Sequence, residues 1–229
     1  MALNRVSQVD DRVFIRNALI SVSDKAGLDE LVISLLKNCP NIQIFSTGGT
    51  YSALEKLLGP DASKVLRSVS EYTGQPEMQG GLVKTLDYKI YLGLLSETYN
   101  ESHRQDIQRL EGIDFDLVVV NLYPFEKTVS QPKISLEDAR TNIDIGGPCM
   151  LRASAKNFLR VVSLCQPSEY AKFSQLLKDG NGAIGLSDRL NFAKASFKHT
   201  ASYDYHISQF LDDKNESDMS IYQFAGGSH

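Results

Sequence analysis

Residues 116–157 contain side chains whose types and spacing suit acid–base chemistry. A short apolar run there ends in Asn121 and Tyr123. A later diglycine turn lies between the carboxylate of Asp144 and the amine of Lys156. A carboxylate and an amine can each take up or release a proton beside a bound ligand. Simpler interpretations stay open, because Asp144 can cap a helix and Lys156 can be an ordinary exposed lysine.

Two turns nearer the amino terminus have the composition of a phosphate site. Their residues are Ser23, Asp24, Lys25, Thr47, Gly48, Gly49 and Thr50. Amides at a helix start, hydroxyls and a lysine can all donate to phosphate oxygens, and glycine lets the backbone approach a ligand closely. Each turn alone also fits a plain helix cap or a common glycine turn. Two such turns on adjacent strands favour an anionic ligand.

The stretch 80–85 contains a third cation, Lys84, after two glycines. A loop with a solvated lysine is the simpler interpretation. If the loop draws Lys84 into a cleft, its ammonium group can act on a bound ligand. Composition alone does not decide between the two.

The order of elements predicts an α/β fold with a doubly wound, mainly parallel sheet, because strands alternate with helices. Strands are predicted at 13–22, 42–46, 65–72, 89–95, 116–121 and 161–165. Helices are predicted after 24, after 50, over 101–110, from 135, from 148, and over 169–178 and 188–211. Ligands in such sheets bind at the carboxyl ends of the strands. The turns after Val22, Phe45 and Val120 should therefore meet in one site.

Length and composition predict one main domain with short appendages. The chain has 229 residues, of which 42% are hydrophobic. We expect an amino-terminal extension at 1–12, the domain at 13–211, and a polar linker or tail at 212–229.

Several classes of function are disfavoured. No apolar run approaches the roughly 18 to 20 residues that span a membrane. A net charge of −4 argues against broad nucleic-acid binding. Cys39, Cys149 and Cys165 lack the spacing of a zinc site or disulfide framework, and the histidines form no metal motif. The expected location is the cytoplasm.

Eight segments, in order, resemble one known family. They read SVSDKAG, STGGT, VSEYTGQPEM, VKTL, VNLYPFEKTV, NIDIGGP, AKN and HTASYD. The chain resembles the inosine monophosphate (IMP) cyclohydrolase domain of the bifunctional purine-biosynthesis proteins, which also carry a formyltransferase domain. The resemblance implies a methylglyoxal-synthase-like fold and closure of the purine ring of 5-formamidoimidazole-4-carboxamide ribotide, giving IMP and water. It further implies no metal or organic cofactor, and a homodimer.

The resemblance also implies roles for individual residues. Besides the two turns, it implies substrate contacts from Thr85, Val120, Asn121 and Ile145. It implies catalytic roles for Lys84, Tyr123, Asp144 and Lys156. Lys84 suits stabilisation of an oxyanion, whereas the other three suit proton transfer. The division of proton-transfer roles among those three stays open.

The chain departs from the family pattern around the lysine loop. Leu82 stands where the family has arginine, and Asp87, Tyr88 and Tyr91 replace its His-Pro…His residues. Losing a charge-assisted bond would cost about 1.5–3 kcal/mol unless another cation substitutes. These departures motivate one alternative to an enzyme, a nucleotide-binding module without turnover. A second alternative is a subunit that docks a separate formyltransferase chain, with the tail after Asp212 as its tether.

Overall fold

A computed structural model describes residues 5–75 and 84–223. Its strands are β1 (Arg12–Phe14), β2 (Asn17–Val22), β3 (Gln43–Ser46), β4 (Leu66–Ser68), β5 (Leu117–Asn121), β6 (Val162–Leu164) and β7 (Ala183–Gly185). Its α-helices are α1 (Leu28–Asn38), α2 (Gly48–Leu58), α3 (Ala62–Val65), α4 (Val69–Thr73), α5 (Tyr88–Leu95), α6 (Glu101–Arg109), α7 (Phe125–Val129), α8 (Leu136–Thr141), α9 (Gly146–Lys156), α10 (Tyr170–Asp179) and α11 (Leu186–Asp212). Leu82 and most of the predicted loop around it lie outside the described residues.

The central sheet is parallel and has five strands, in the order β4-β3-β2-β5-β6. Its register pairs Val22 with Asn121 and Ile20 with Ser46. The strand ends that precede the predicted ligand turns therefore lie side by side. The predicted α/β fold with a mainly parallel sheet is confirmed.

Apolar side chains on both faces of this sheet are buried under helices. Ala18 and Ile20 belong to a core with residues of α1 and α10, whereas Leu19 between them belongs to a core with residues of α5 and α9. This alternation follows from the two-residue period of a strand. Because both faces are covered, the strands read as continuous apolar runs in the sequence.

The single strand predicted at 13–22 is wrong, since two strands occupy that range. β1 pairs antiparallel with β7 in a separate two-stranded sheet. The chain then turns, and the amides of Arg16 and Asn17 donate to one carboxylate oxygen of Asp116 at 2.9 and 3.0 Å. That carboxylate lies about 100 residues further along the chain, so no local signal marks the break.

The strand predicted at 89–95 is also wrong, because this segment forms helix α5. Asp87 caps the helix by accepting from the amide of Lys89 at 2.7 Å. Ile90, Gly93 and Leu94 are its buried residues, which is helical spacing. A short apolar run does not by itself distinguish a buried strand from a buried helix.

The strand predicted at 65–72 is confirmed only over Leu66–Ser68, after which Val69–Thr73 forms helix α4.

Beyond α11 the polar segment is not a plain linker. Glu216–Ile221 forms a short 3-10 helix, and the Tyr222 hydroxyl donates to Glu137 at 2.7 Å. The domain boundaries stay a prediction. Within the described residues, no helix combines the length and hydrophobicity needed to cross a membrane.

Candidate active site

A cleft of about 470 Å³ opens at the carboxyl edge of the parallel sheet. Thirteen of the fifteen predicted site residues line it: Ser23, Lys25, Thr47, Gly48, Gly49, Thr50, Lys84, Thr85, Val120, Asn121, Tyr123, Asp144 and Ile145. The cleft wall also contains residues that were not predicted as contacts: Ser21, Val22, Thr141, Ile143, Gly146, Gly147 and Met150. The diglycine turn was a visible sequence signal, whereas Thr141 and Met150 carried none.

A larger cavity, of about 1060 Å³, lies at the opposite edge of the sheet. Its wall includes Asn17 and Gln43, the first residues of β2 and β3, but none of the predicted site residues. Several of its charged groups already bind protein atoms. Arg104 donates to both oxygens of Asp114 at 2.6 and 3.0 Å, and Asp116 accepts two backbone amides. The smaller cleft is therefore the candidate active site.

One end of the cleft is the amino terminus of helix α2. Gly48 has φ +48°, a conformation that favours glycine. A Cβ atom added there would lie 3.3 Å from the Lys84 ammonium nitrogen. Helix-start amides and an ammonium group thus adjoin each other, which is a suitable environment for an anionic group.

Thr50 and Asn121 line the cleft, but their side chains already have protein partners. The Thr50 hydroxyl accepts from the Val22 amide and donates to the Val22 carbonyl, both at 3.0 Å. The Asn121 carbonyl oxygen accepts from the amides of Ser23 and Asp24 at 2.6 and 2.8 Å, and its amide nitrogen donates to the Asp24 carbonyl at 2.7 Å. Both residues therefore fix the ends of strands around the site.

Asp24 and Lys156 are the two predicted site residues that do not line the cleft. The Asp24 carboxylate accepts from the Ala26 amide at 2.9 Å and shapes its own turn. Lys156 is the exposed last residue of α9, whose first residue, Gly146, is in the cleft wall. A helix of this length extends roughly 15 Å. The catalytic role of Lys156 stays a prediction of the family resemblance, without support from its position.

Asp144 is the only carboxylate among the described residues that line the cleft. It precedes α9 and accepts from the Gly147 amide at 2.9 Å. Burial raises the pKa of its carboxyl above the ordinary 3.8, while amide donors from Gly147 and Tyr123 oppose that rise. A carboxyl with a raised pKa is better matched to proton transfer near neutral pH than an exposed one.

The wall near Asp144 combines close packing with exposed apolar surface. A Cβ atom on Gly146, the first residue of α9, would lie 2.6 Å from the Thr85 hydroxyl oxygen. Because Lys84 lies beside Gly48, the pair Lys84 and Thr85 connects the start of α2 to the start of α9. Tyr123 and Ile145 are 54% and 56% exposed. Large apolar groups at a cleft wall are suited to contact a flat heterocycle. Within the described part of the chain, no group of acidic, cysteine or histidine side chains is arranged to hold a metal ion.

Comparison with known proteins agrees with this architecture. The family model for the MGS-like domain matches residues 27–149, more than half of the chain. The chain belongs to the MGS-like domain family. A second model, that of the AICARFT/IMPCHase bienzyme, matches residues 154–227 of this MGS-like chain. The two matches confirm the family resemblance and the methylglyoxal-synthase-like fold expected from the motifs.

Individual relatives of this MGS-like chain cover most of its length. The bifunctional purine biosynthesis protein PurH of Leptospira biflexa is 45% identical over 198 residues, which are 86% of this chain and 37% of PurH. PurH of Nostoc sp. is 42% identical over 90% of this chain and 39% of its own length. The chain thus spans less than two fifths of these relatives. The crystal structure of ForH superimposes with a TM-score of 0.74 at 30% identity, covering 86% of this chain and 97% of ForH.

Proposed function

We propose that this chain is an IMP cyclohydrolase of purine biosynthesis, a hydrolase of the cyclic amidine class. It closes the ring of 5-formamidoimidazole-4-carboxamide ribotide and releases IMP and water. The observation that carries the proposal is the cleft itself, where helix-start amides, Lys84 and the half-buried carboxyl of Asp144 surround one space. The identity to PurH proteins over most of the chain supports the same reaction.

The anionic end of the ribotide fits the α2 turn. Gly48 and Gly49 begin this helix and line the cleft, whose wall also includes Lys25. Backbone amides at a helix start favour negative charge, and ammonium groups strengthen that preference. We propose that the phosphate binds there and that the heterocycle lies toward Tyr123 and Ile145.

Ring closure requires the carboxamide nitrogen to attack the formyl carbon of the same molecule. The cleft holds the two groups in a reactive orientation, which removes much of the entropic part of the activation barrier. As the C–N bond forms, the formyl oxygen gains negative charge, which the Lys84 ammonium group stabilises. Asp144 accepts the proton that leaves the carboxamide nitrogen. The former formyl oxygen takes up this proton and the one lost from the formamido nitrogen, its bond to carbon breaks, and it departs as water. No cofactor takes part in these steps.

The first test is turnover of the formylated ribotide, followed by ultraviolet absorbance as IMP forms. We expect Lys84→Ala to lower kcat by about 100- to 1000-fold, because the developing oxyanion loses its ammonium group. Lys37→Ala is the matched control, since Lys37 lies exposed in the last turn of α1. Tight ribotide binding without turnover by the unaltered chain would overturn the enzyme and leave a nucleotide-binding module.

Gly147→Ala tests whether Asp144 must sit close to the α9 backbone. The added Cβ would lie 2.5 Å from a carboxylate oxygen of Asp144 and 2.6 Å from Leu122. We expect kcat to fall by about 100-fold, because the carboxylate is displaced from its working position. At Gly185 the nearest atom to an added Cβ is 3.7 Å away, so Gly185→Ala should retain activity. Equal rates for both variants would contradict this arrangement.

We further propose a cytoplasmic homodimer that binds neither membranes nor nucleic acid, with its formylated substrate made by a separate formyltransferase chain or domain. Cys39, Cys149 and Cys165 are all free thiols, which supports a reducing compartment. The homodimer and the formyltransferase rest on the family resemblance. Light scattering of the purified chain checks the dimer, and a monomer at working concentration would contradict it.

A further inference from the structure

We infer that Tyr203 is a positioning residue that holds Asp144 in place for proton transfer. This inference rests on the proposed function and extends it to a side chain outside the cleft wall. Tyr203 lies on α11, 59 residues beyond Asp144 in the sequence. Its hydroxyl oxygen accepts from the backbone amide of Asp144 at 2.8 Å.

The same hydroxyl contacts both ends of the turn that carries Asp144. Besides accepting from the Asp144 amide, it donates to the Asn142 carbonyl at 3.4 Å. Tyr203 is 8% exposed, and its ring packs edge-on against Phe125 with centroids 6.2 Å apart. The ring is thus fixed by the core, and its hydroxyl transmits that position to the backbone at 142–144.

A phenol is chemically suited to this position. Burial raises the pKa of Tyr203 to about 12, so the hydroxyl stays protonated at working pH and can donate and accept together. A phenylalanine ring would preserve the packing against Phe125 but would remove both hydrogen bonds. The Asp144 amide is partly buried, and leaving it unpaired carries a free-energy penalty, so the turn would shift to find another partner.

A shift of this turn would reach the reacting group directly. The Asp144 carboxylate accepts from the amides of Gly147 and Tyr123, and both bonds depend on where the Asp144 backbone lies. A displacement near 1 Å can lower a rate by about 100-fold. Looser amide donation would also raise the pKa of Asp144 further, because those donors favour its ionised form.

The experiment compares Tyr203→Phe with Tyr205→Phe, a tyrosine two positions away that is 59% exposed. In Tyr203→Phe we expect kcat to fall by about 10- to 100-fold, KM to change less than about threefold, and the acidic limb of the kcat profile to move to higher pH. Tyr205→Phe should match the unaltered chain. A Tyr203→Phe variant with unchanged kcat and pH profile would overturn the inference.

A second measurement separates this inference from the proposed function. If the unaltered chain does not convert the ribotide, the proposed function fails. Carboxyl carbon NMR can still measure the titration of Asp144 in the unaltered chain and in Tyr203→Phe. We expect the Asp144 titration to lie at higher pH in Tyr203→Phe. Identical titration curves in two folded proteins would overturn the positioning role whatever the activity. Thermal melting of both variants checks that each is folded.

Discussion

Asp144→Asn should reduce ring closure by about 1000-fold, since general acid–base groups contribute roughly 10²- to 10⁴-fold to rates. The asparagine keeps the size and the oxygen that accepts from the Gly147 amide, but it cannot take up a proton. Substrate binding should change little, so the loss should appear in kcat. The measurement is the absorbance assay with the formylated ribotide.

Asp144→Asn should lower the activity but should not lower the stability of the folded chain at pH 7. Burial raises the pKa of Asp144 in the folded chain above 3.8, so the folded state favours its protonated form. The protonated carboxyl thus contributes to the free energy of unfolding at low pH, and this contribution disappears as pH rises through the pKa of Asp144 in the folded chain. Ionised Asp144 therefore opposes folding at pH 7. We expect Asp144→Asn to melt at or above the temperature of the unaltered chain at pH 7, and the difference to shrink as pH falls toward 3.

Asp213→Asn is a suitable control for both measurements, because Asp213 is exposed beyond α11. It should leave kcat and melting temperature unchanged. An Asp144→Asn variant with full activity would remove Asp144 from the mechanism. One that melts well below the unaltered chain at pH 7 would instead assign the carboxylate a mainly structural role.

Arg189→Met should lower the free energy of unfolding by at least about 3 kcal/mol, because buried carbonyls lose charged donors. Arg189 is completely buried on α11. Its guanidinium donates to five backbone carbonyls at 2.6 to 3.0 Å, those of Asp10, Asp11, Phe158, Leu159 and Ile184. It thereby joins the amino-terminal segment to the chain before β6 and to β7.

Lysine should not restore this stability, since one ammonium group has three donors and lacks the planar fork of a guanidinium. Urea denaturation of Arg189→Met and Arg189→Lys measures both losses. Arg109→Met is the matched control, because Arg109 is 67% exposed and pairs with Asp106 on the surface. Such surface pairs contribute at most about 1 kcal/mol. Similar midpoints for the Arg189 and Arg109 variants would contradict the proposed role of Arg189.

The sequence by itself determined the parallel sheet and the location of the cleft. The β-branched run at 118–120 is apolar on successive residues, which a strand tolerates when both its faces are buried. Polar turns then follow three strands, and parallel strands bring their carboxyl ends to one edge. For this reason, residues as distant as Ser23, Thr47 and Asn121 could be assigned to one edge of the sheet from the sequence, whereas Asp144 was assigned to the site by the family resemblance.

Tertiary structure alone decided which side chains around that cleft remain available to a ligand. Thr50 and Asn121 carry polar groups suited to binding, but those groups join strand ends. Lys156 shares a helix with the cleft wall, but it is the exposed last residue of that helix and is not among the residues that line the cleft. Local composition specifies the chemical groups, whereas the partners of each group come from elsewhere in the fold.

Helix α5 and the contact from Tyr203 to Asp144 are two further features that the sequence did not predict. The apolar run at 89–95 has no intrinsic preference strong enough to exclude a strand, and its packing decided in favour of a helix. The hydroxyl of Tyr203 reaches Asp144 because α11 passes beside the turn before α9. The spacing of apolar residues indicates which side chains share a face of one helix or strand. Contacts between elements depend on how helices and strands pack, and no local pattern records them.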